Sequence, residues 1–384
     1  MPQGYAHPFT RTDRSPLAIW WWTVDRVTLA SVLLLLFAGL VFSFSSSPVA
    51  APKIGSANDF YYTQRHLIFA LTSAGLMISI SMLSLKGVRR ISTLIYAGAL
   101  TIMFLLPFIG HKAKGGRRWL DLEFFSLQPS EFIKPALIVL IAWMFAESQK
   151  GRGVPGVTIA FVLYVLCIGL LLIQPDAGQT ILITAVFGAC FFISGVPVRW
   201  IIGLSGAAVV GVIGLYFSLS HFRSRIQEFI SPEGDRYQVE RAAAAIANGG
   251  IFGTGTNEGT MKRLIPDMHT DFIYSVAAEE YGLWVSLLLI ALFAFVVIRG
   301  LWRAMNMPDP FRQIATSGLY IIVGLQVIIN IAVNLSVIPP KGMTLPFISY
   351  GGSSLLAMGL TMGLILALTR KRPAEVQPDD PTKW

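Results

Sequence analysis

Apolar residues along this chain come in long, nearly unbroken runs, near 27–44, 66–85, 91–110, 132–146, 155–173, 179–196, 200–218, 272–298, 315–336 and 352–369. Most approach the roughly 20 residues that a helix needs to cross the hydrocarbon layer of a membrane. Lipid offers the backbone no hydrogen-bond partner, so such runs must close their bonds internally. They also lack the alternating segments of about 10 residues that mark a membrane barrel. The pattern predicts an all-α polytopic membrane protein with ten transmembrane helices over residues 17–372, between polar tails at 1–16 and 373–384. The first run exceeds the roughly 7–15 apolar residues of a signal peptide and is read as a retained span.

Between the runs, basic residues fix a direction. Arg11/Arg14, Lys86/Arg89/Arg90, Lys150/Arg152, Arg199, Arg299/Arg303/Arg312 and Arg370/Lys371/Arg372 all fall on one side of a ten-span chain. The positive-inside bias makes that side, with both termini, cytoplasmic. Two extracytoplasmic loops then remain, 111–131 and a large one between helices 7 and 8 at 219–271.

Composition sharpens the class. Of 384 residues, 54% are hydrophobic and 13% charged, against about 45–50% and 25% in soluble proteins. The net charge of +9 is spread in short clusters between apolar runs, which excludes a nucleic-acid-binding surface. Cys167 and Cys190 both sit inside apolar runs, so neither a disulfide framework nor a cysteine metal site is expected.

The two outer loops break the charge rule. One carries Lys112, Lys114, Arg117 and Arg118, the other Arg223, Arg225, Arg236, Arg241, Lys262 and Arg263. Long loops tolerate such charge; the alternative is a site for a polyanion, where guanidinium forks and ammonium groups meet phosphate oxygens. Several polar strings lie at the same level. Glu131 and Lys134, three apart, share a helix face and either neutralise each other or serve a cavity. Gln174-Pro175-Asp176-Ala177-Gly178 reads as a turn, with Gln174 and Asp176 as candidate polar contacts. Asn248-Gly249-Gly250-Ile251-Phe252-Gly253-Thr254-Gly255 follows no strand, so a dinucleotide site is rejected. The Ala-rich stretch before it, 238–247, reads as a short amphipathic helix at the interface. His269-Thr270-Asp271 immediately precedes the eighth run, where Thr or Asp would cap a helix. The Pro- and Gly-rich segment 339–354, with Lys341, Ser349 and Tyr350, excludes a continuous helix and must be covered by protein or line a wet cavity.

Taken in order, Arg-Trp-Leu-Asp-Leu (118–122), Gln-Pro-Ser-Glu-Phe-Ile-Lys (128–134), Gln-Pro-Asp-Ala-Gly (174–178), Gly-Gly-Ile-Phe-Gly-Thr-Gly (249–255), His-Thr-Asp-Phe-Ile (269–273) and Leu-Pro-Phe-Ile-Ser-Tyr-Gly-Gly-Ser-Ser (345–354) resemble the SEDS family of bacterial membrane proteins over about residues 20–370. Within it, Lys341-Gly342-Met343-Thr344-Leu345-Pro346 and Asp121 look more like the cell-division branch than the elongation branch. Glu123, where members usually have Gly, and Asp267 are departures.

The resemblance implies a peptidoglycan glycosyltransferase. It would polymerise lipid II at the periplasmic face of the inner membrane during septal wall synthesis, beside a class B penicillin-binding transpeptidase (FtsI-like) and other divisome proteins. Asp271 matches the family's essential aspartate. As general base it would draw the proton from a sugar hydroxyl, a poor nucleophile at neutral pH. Cations would stabilise charge developing on the diphosphate leaving group, with Lys112, Arg118, Lys134 and Lys262 as candidates. Glu131, Gln174, Asp176, His269, Lys341, Ser349 and Tyr350 complete the expected substrate site. A divalent cation, Mg2+ or Mn2+, is compatible with this chemistry, but no ligand cluster in the sequence names its site. A lipid II flippase, an elongation-type polymerase and a noncatalytic scaffold are the competing readings.

Overall fold

The computed structural model describes residues 15–113, 116–122, 125–151, 153–195, 237–340 and 342–371, with isolated positions between 203 and 227. A short helix, α1 (Pro16–Thr23), is capped by Ser15. It turns at Asp25 into α2 (Arg26–Ala50). Then come α3 (Tyr61–Ser81), α4 (Leu85–Ile109), three strands, α5 (Pro129–Gln149), α6 (Gly156–Ile173) and α7 (Ala177–Ile193). Beyond the region around 200–236, α8 (Tyr237–Gly249), α9 (Ile273–Met305), α10 (Pro310–Asn334) and α11 (Gly352–Thr369) complete the chain.

Among the described residues, seven helices are long and apolar enough to cross a membrane: α2, α4, α5, α6, α9, α10 and α11. Two more overlap expected runs but fall outside that set. Helix α7 has 17 residues, and α3 carries Thr, Gln, Arg, His and Ser along its 21. The polar side of α3 is protein-facing. Ser73 Oγ donates to the Leu355 carbonyl of α11 over 2.7 Å, and a Cβ at Gly359 would meet Ser73 Oγ at 2.4 Å. Small residues bring these two helices together as they do in lipid generally. The seventh expected run, 200–218, lies almost wholly outside the described residues.

Two boundaries differ from expectation. Helix α2 continues through the serines to Ala50 because their hydroxyls are used: Ser47 Oγ donates to the Asp59 carbonyl over 2.6 Å and accepts from the Tyr62 N–H over 3.1 Å. The loop expected at 111–131 is not irregular. Strands β1 (His111–Ala113), β2 (Gly116–Leu122) and β3 (Phe125–Leu127) form an antiparallel meander. Helix α8 occupies 237–249 where the Ala-rich stretch predicts a helix, burying Val239, Ala242, Ala245 and Gly249.

The helix ends sort into two groups. At one end, Arg299 pairs with Asp25, Arg312 donates to the Leu368 carbonyl, Arg370 donates to the Met82 carbonyl over 3.0 Å, and Gln149 donates to the Ser194 carbonyl over 2.9 Å. At the opposite end lie the meander, the 174–176 turn, α8, residues 249–271 and the segment 339–351.

Candidate functional site

At that opposite end, irregular backbone is locked by side-chain amides from within the bundle. Helix α10 carries Gln326, Asn330 and Asn334 four residues apart, hence on one face. Asn330 Nδ2 donates to the Asp271 carbonyl over 2.9 Å and to the Met343 carbonyl over 2.7 Å. Asn334 Nδ2 donates to the Asp271 carbonyl over 3.0 Å, and Gln326 Nε2 reaches the Thr344 carbonyl over 3.2 Å. Ser349 bridges the two segments, donating to the Thr270 carbonyl over 2.6 Å and accepting from the Leu345 N–H over 2.8 Å. The Tyr350 N–H donates to the His269 carbonyl over 2.9 Å. These bonds satisfy buried backbone groups that would otherwise be costly.

Asp271 stands on this locked frame. Its residue is half-buried, and a Cβ on Gly342 would lie 3.8 Å from its Oδ2. Nearby, Tyr62 of α3 packs tilted against His269 with centroids 4.2 Å apart and meets Tyr350 edge-on at 5.0 Å. Arg65, one turn further along α3, lies over the Tyr61 ring at 4.8 Å, and its charge acts on Tyr350. Burial pushes the Tyr350 phenol above its ordinary pKa, with Arg65 opposing. An imidazole, phenols and a guanidinium thus gather beside the 269–271 backbone. Helix α2 closes the other side: a Cβ at Gly39 would meet the Phe347 carbonyl at 2.4 Å.

Arg118, Glu131, Lys134, Gln174, Asp176 and Lys262 divide between two networks. In the first, Lys134 is 1% exposed and pairs with Glu131 over 2.8 Å, while Glu131 accepts from Gln179 Nε2 over 2.8 Å. Arg118 donates to the carbonyls of Gln174 and Pro175 over 2.9 and 2.7 Å and faces Asp176 at 3.8 Å. Gln174 Nε2 donates to the Met103 carbonyl over 2.8 Å, and Asp176 caps α7 through the Gln179 N–H. Burial raises the Asp176 pKa above the usual carboxylate range, and the Arg118 charge pulls it back in part. These groups clamp the meander and the 174–176 turn onto the bundle. The network touches the rim through Ser353, which donates to the Ser126 carbonyl over 2.7 Å and accepts from the Gln128 N–H over 3.0 Å.

In the second network, Lys262 is fully buried, ion-paired with Glu280 and bonded to the Ser45 carbonyl over 2.8 Å. Glu279 accepts from Asn248 Nδ2 and from the N–H groups of Met261 and Lys262 over 2.8–2.9 Å. The glycine-rich string wraps this point because α9 breaks at Gly282, whose φ of 78° is not helical. Leu283 N–H donates to the Gly250 carbonyl over 3.0 Å, and a Cβ at Gly253 would sit 2.1 Å from the Glu280 carbonyl.

The ammonium groups of Lys134 and Lys262 and the hydroxyl of Ser349 each meet a protein partner, neutralising or satisfying a buried group. Arg118 spends its fork on the 174–176 turn. Lys112 contributes backbone to β1, paired in register with Arg117, and Lys341 lies outside the described residues. Conversely, Tyr62, Arg65, Asn330 and Asn334 belong to the site and are missed by motif reading. Their signal is polar residues recurring inside otherwise apolar spans. Among the described residues no three His, Cys, Asp or Glu side chains converge to hold a metal.

Comparison with known proteins follows this geometry. Residues 25–373 match the family model of the FtsW, RodA and SpoVE cell cycle proteins. The chain is 59% identical over 374 residues to "Probable peptidoglycan glycosyltransferase FtsW" of Caulobacter vibrioides, covering 97% of this chain and 96% of that one. The Pseudomonas fluorescens protein of the same name is 35% identical, with 90% and 88% covered. Among solved structures, a chain from "Structural coordination of polymerization and crosslinking by a peptidoglycan synthase complex" superposes with a TM-score of 0.75 at 26% identity, over 91% of this chain and 98% of that one. The rod shape determining protein RodA of Thermus thermophilus gives 0.66 at 26% identity, over 91% and 97%.

Proposed function

The chain belongs to the FtsW/RodA/SpoVE family of cell cycle proteins, and from that premise we propose how its rim works. It is a peptidoglycan glycosyltransferase, as its curated relatives are named, and its substrate is lipid II. The observation that carries the reading is the half-buried carboxylate of Asp271, on a backbone pinned by Asn330 and Asn334. A general base must be held where the proton leaves, and two amide donors on its own carbonyl fix that place without occupying the carboxylate. Asp271 takes the proton from the sugar hydroxyl as oxygen attacks the anomeric carbon and undecaprenyl diphosphate departs with inversion. Arg65, not Lys134 or Lys262, is the cation assigned here to meet the leaving diphosphate. Tyr62, His269 and Tyr350 offer ring faces to the saccharide.

We infer ten membrane helices. The chain lies at the Asp25 end at Ser194 and at the Asp271 end by Val239, whose carbonyl accepts from Ser336. The apolar run 200–218, read from the sequence, supplies the tenth. With the basic clusters at the Asp25 end cytoplasmic, both termini lie inside and Asp271 faces the periplasm of the inner membrane, at the septum. A class B transpeptidase is the partner, in keeping with the synthase complex that this fold resembles.

The test is glycan synthesis from purified lipid II by the full chain with its cognate transpeptidase. Asp271→Asn is expected to fold and bind its partner while losing about a hundredfold or more of the rate. Polymer formed at the normal rate by Asp271→Asn removes the base assignment. Lipid II translocation in vesicles without polymerisation favours the flippase.

A further inference from the structure

At the end of the bundle away from Asp271, the α1–α2 turn, the last turns of α9 and the chain after α11 enclose an open cavity of about 590 Å3. Arg26, Arg299, Arg303 and Lys371 line it, with one carboxylate, Asp25. That carboxylate is fully engaged: Arg299 binds it through two nitrogens at 2.7 and 3.0 Å, and Arg303 adds a further ion pair. One negative charge cannot neutralise two guanidinium groups. Arg26 is set over the Trp21 and Trp22 rings at 5.3 and 4.9 Å, and among the described residues neither it nor Lys371 forms an ion pair. Like charges gathered around a cavity repel unless an anion joins them.

The walls indicate where that anion comes from. Trp22 and Trp302 line the same cavity. Helix α1 buries Ala18 and Trp20, the latter donating to Ser81 Oγ over 2.7 Å, and turns Leu17, Ile19, Trp21 and Trp22 outward. Trp302 and Met305 at the end of α9 are also exposed. Exposed tryptophans beside arginines, at the end of membrane helices, mark the headgroup level of a bilayer. A soluble anion would satisfy the cations but leave this apolar collar in water.

We propose that the cavity binds the phosphate of an anionic glycerophospholipid from the leaflet on that side, with the acyl chains lying along α1 and the end of α9. Basic pockets between helices at the cytoplasmic surface recognise lipid phosphate in this way. The site is distinct from the Asp271 rim, because the 28 residues of α9 and its approach between Asp271 and Arg299 span roughly 40 Å of helix.

The test is native mass spectrometry of the full chain in detergent, titrated with phosphatidylglycerol or with phosphatidylcholine of the same acyl chains. Preferential binding of phosphatidylglycerol is expected, falling at least about fivefold in R26Q/K371Q, which leaves the Asp25 ion pairs intact. The control K86Q/R90Q, on exposed basic residues outside the cavity, is expected to keep the preference. Equal loss in both variants, or none in R26Q/K371Q, overturns the site. Inorganic phosphate is expected not to displace the lipid; displacement at comparable concentration shows a free-anion site and overturns the lipid assignment.

Discussion

Asn334 holds Asp271 from behind: its amide nitrogen donates to the Asp271 carbonyl over 3.0 Å, while its amide oxygen accepts from the Ser275 N–H and hydroxyl over 3.1 and 2.7 Å. One side chain thus ties Asp271, two residues before α9, to the first turn of that helix. A Cβ on Gly342 would lie 3.8 Å from the Asp271 carboxylate. Replacing Asn334 by Asp keeps the acceptor for Ser275 and removes the donor to Asp271. With Asp271 as the proposed base, this variant is expected to lower kcat for lipid II polymerisation about tenfold with KM little changed. A rise in KM at constant kcat would instead assign Asn334 to substrate binding.

Lys262 and Glu280 are expected to behave as one unit. Either Lys262→Met or Glu280→Gln alone strands a buried charge or its neighbours, a loss of about 3 kcal/mol. The double variant is expected to recover a large part of it. Thermal unfolding of the four proteins in one detergent measures the coupling, and strict additivity would show that the pair does not interact.

Gly253→Ala places a methyl group against the Glu280 carbonyl at a residue whose φ is 86°. Both effects oppose docking of the 249–255 loop on the α9 break. A drop in melting temperature of several degrees is expected, along with faster proteolysis within 249–260. Gly250→Ala shares the positive φ, 56°, but has open space for its Cβ, so a smaller drop is expected there.

Asp25 supplies a pH signature. Burial alone would raise its pKa, but the Arg299 hydrogen bond, with Thr28 and Arg303, holds the carboxyl down at about 2, below the usual 3.8. A carboxyl with a depressed folded pKa stabilises the fold fully above its unfolded value, and that stability is lost as pH falls through the folded one. The difference in melting temperature between the natural protein and Asp25→Asn is expected to be constant from pH 7 to about 5. It should shrink on acidification through pH 4 towards 2. A difference that does not change over that range would mean the ion pairs contribute nothing to stability.

The sequence by itself determined the class of fold and the catalytic candidate. Long apolar runs have only one stable form in lipid, so the spans occupied by α2, α4, α5, α6, α9, α10 and α11 are legible from composition. Asp271 is legible as well, because its string His269-Thr270-Asp271 lies at the head of a run. What a side chain faces is another matter, since it depends on elements distant in sequence. Lys134 and Lys262 read as rim cations, yet Glu131 and Glu280 neutralise them in the interior. The serines before Ala50 read as a loop, yet the N-terminus of α3 satisfies them inside a helix. The strands of the meander at 111–127 are too short to announce themselves, being fixed by the turn they cover. Tyr62, Arg65, Asn330 and Asn334 come from two helices about 270 residues apart. Only the packing of α3, α10 and the segment 339–351 around Asp271 made them one site, because a polar atom buried in lipid must find its partner wherever the fold brings one.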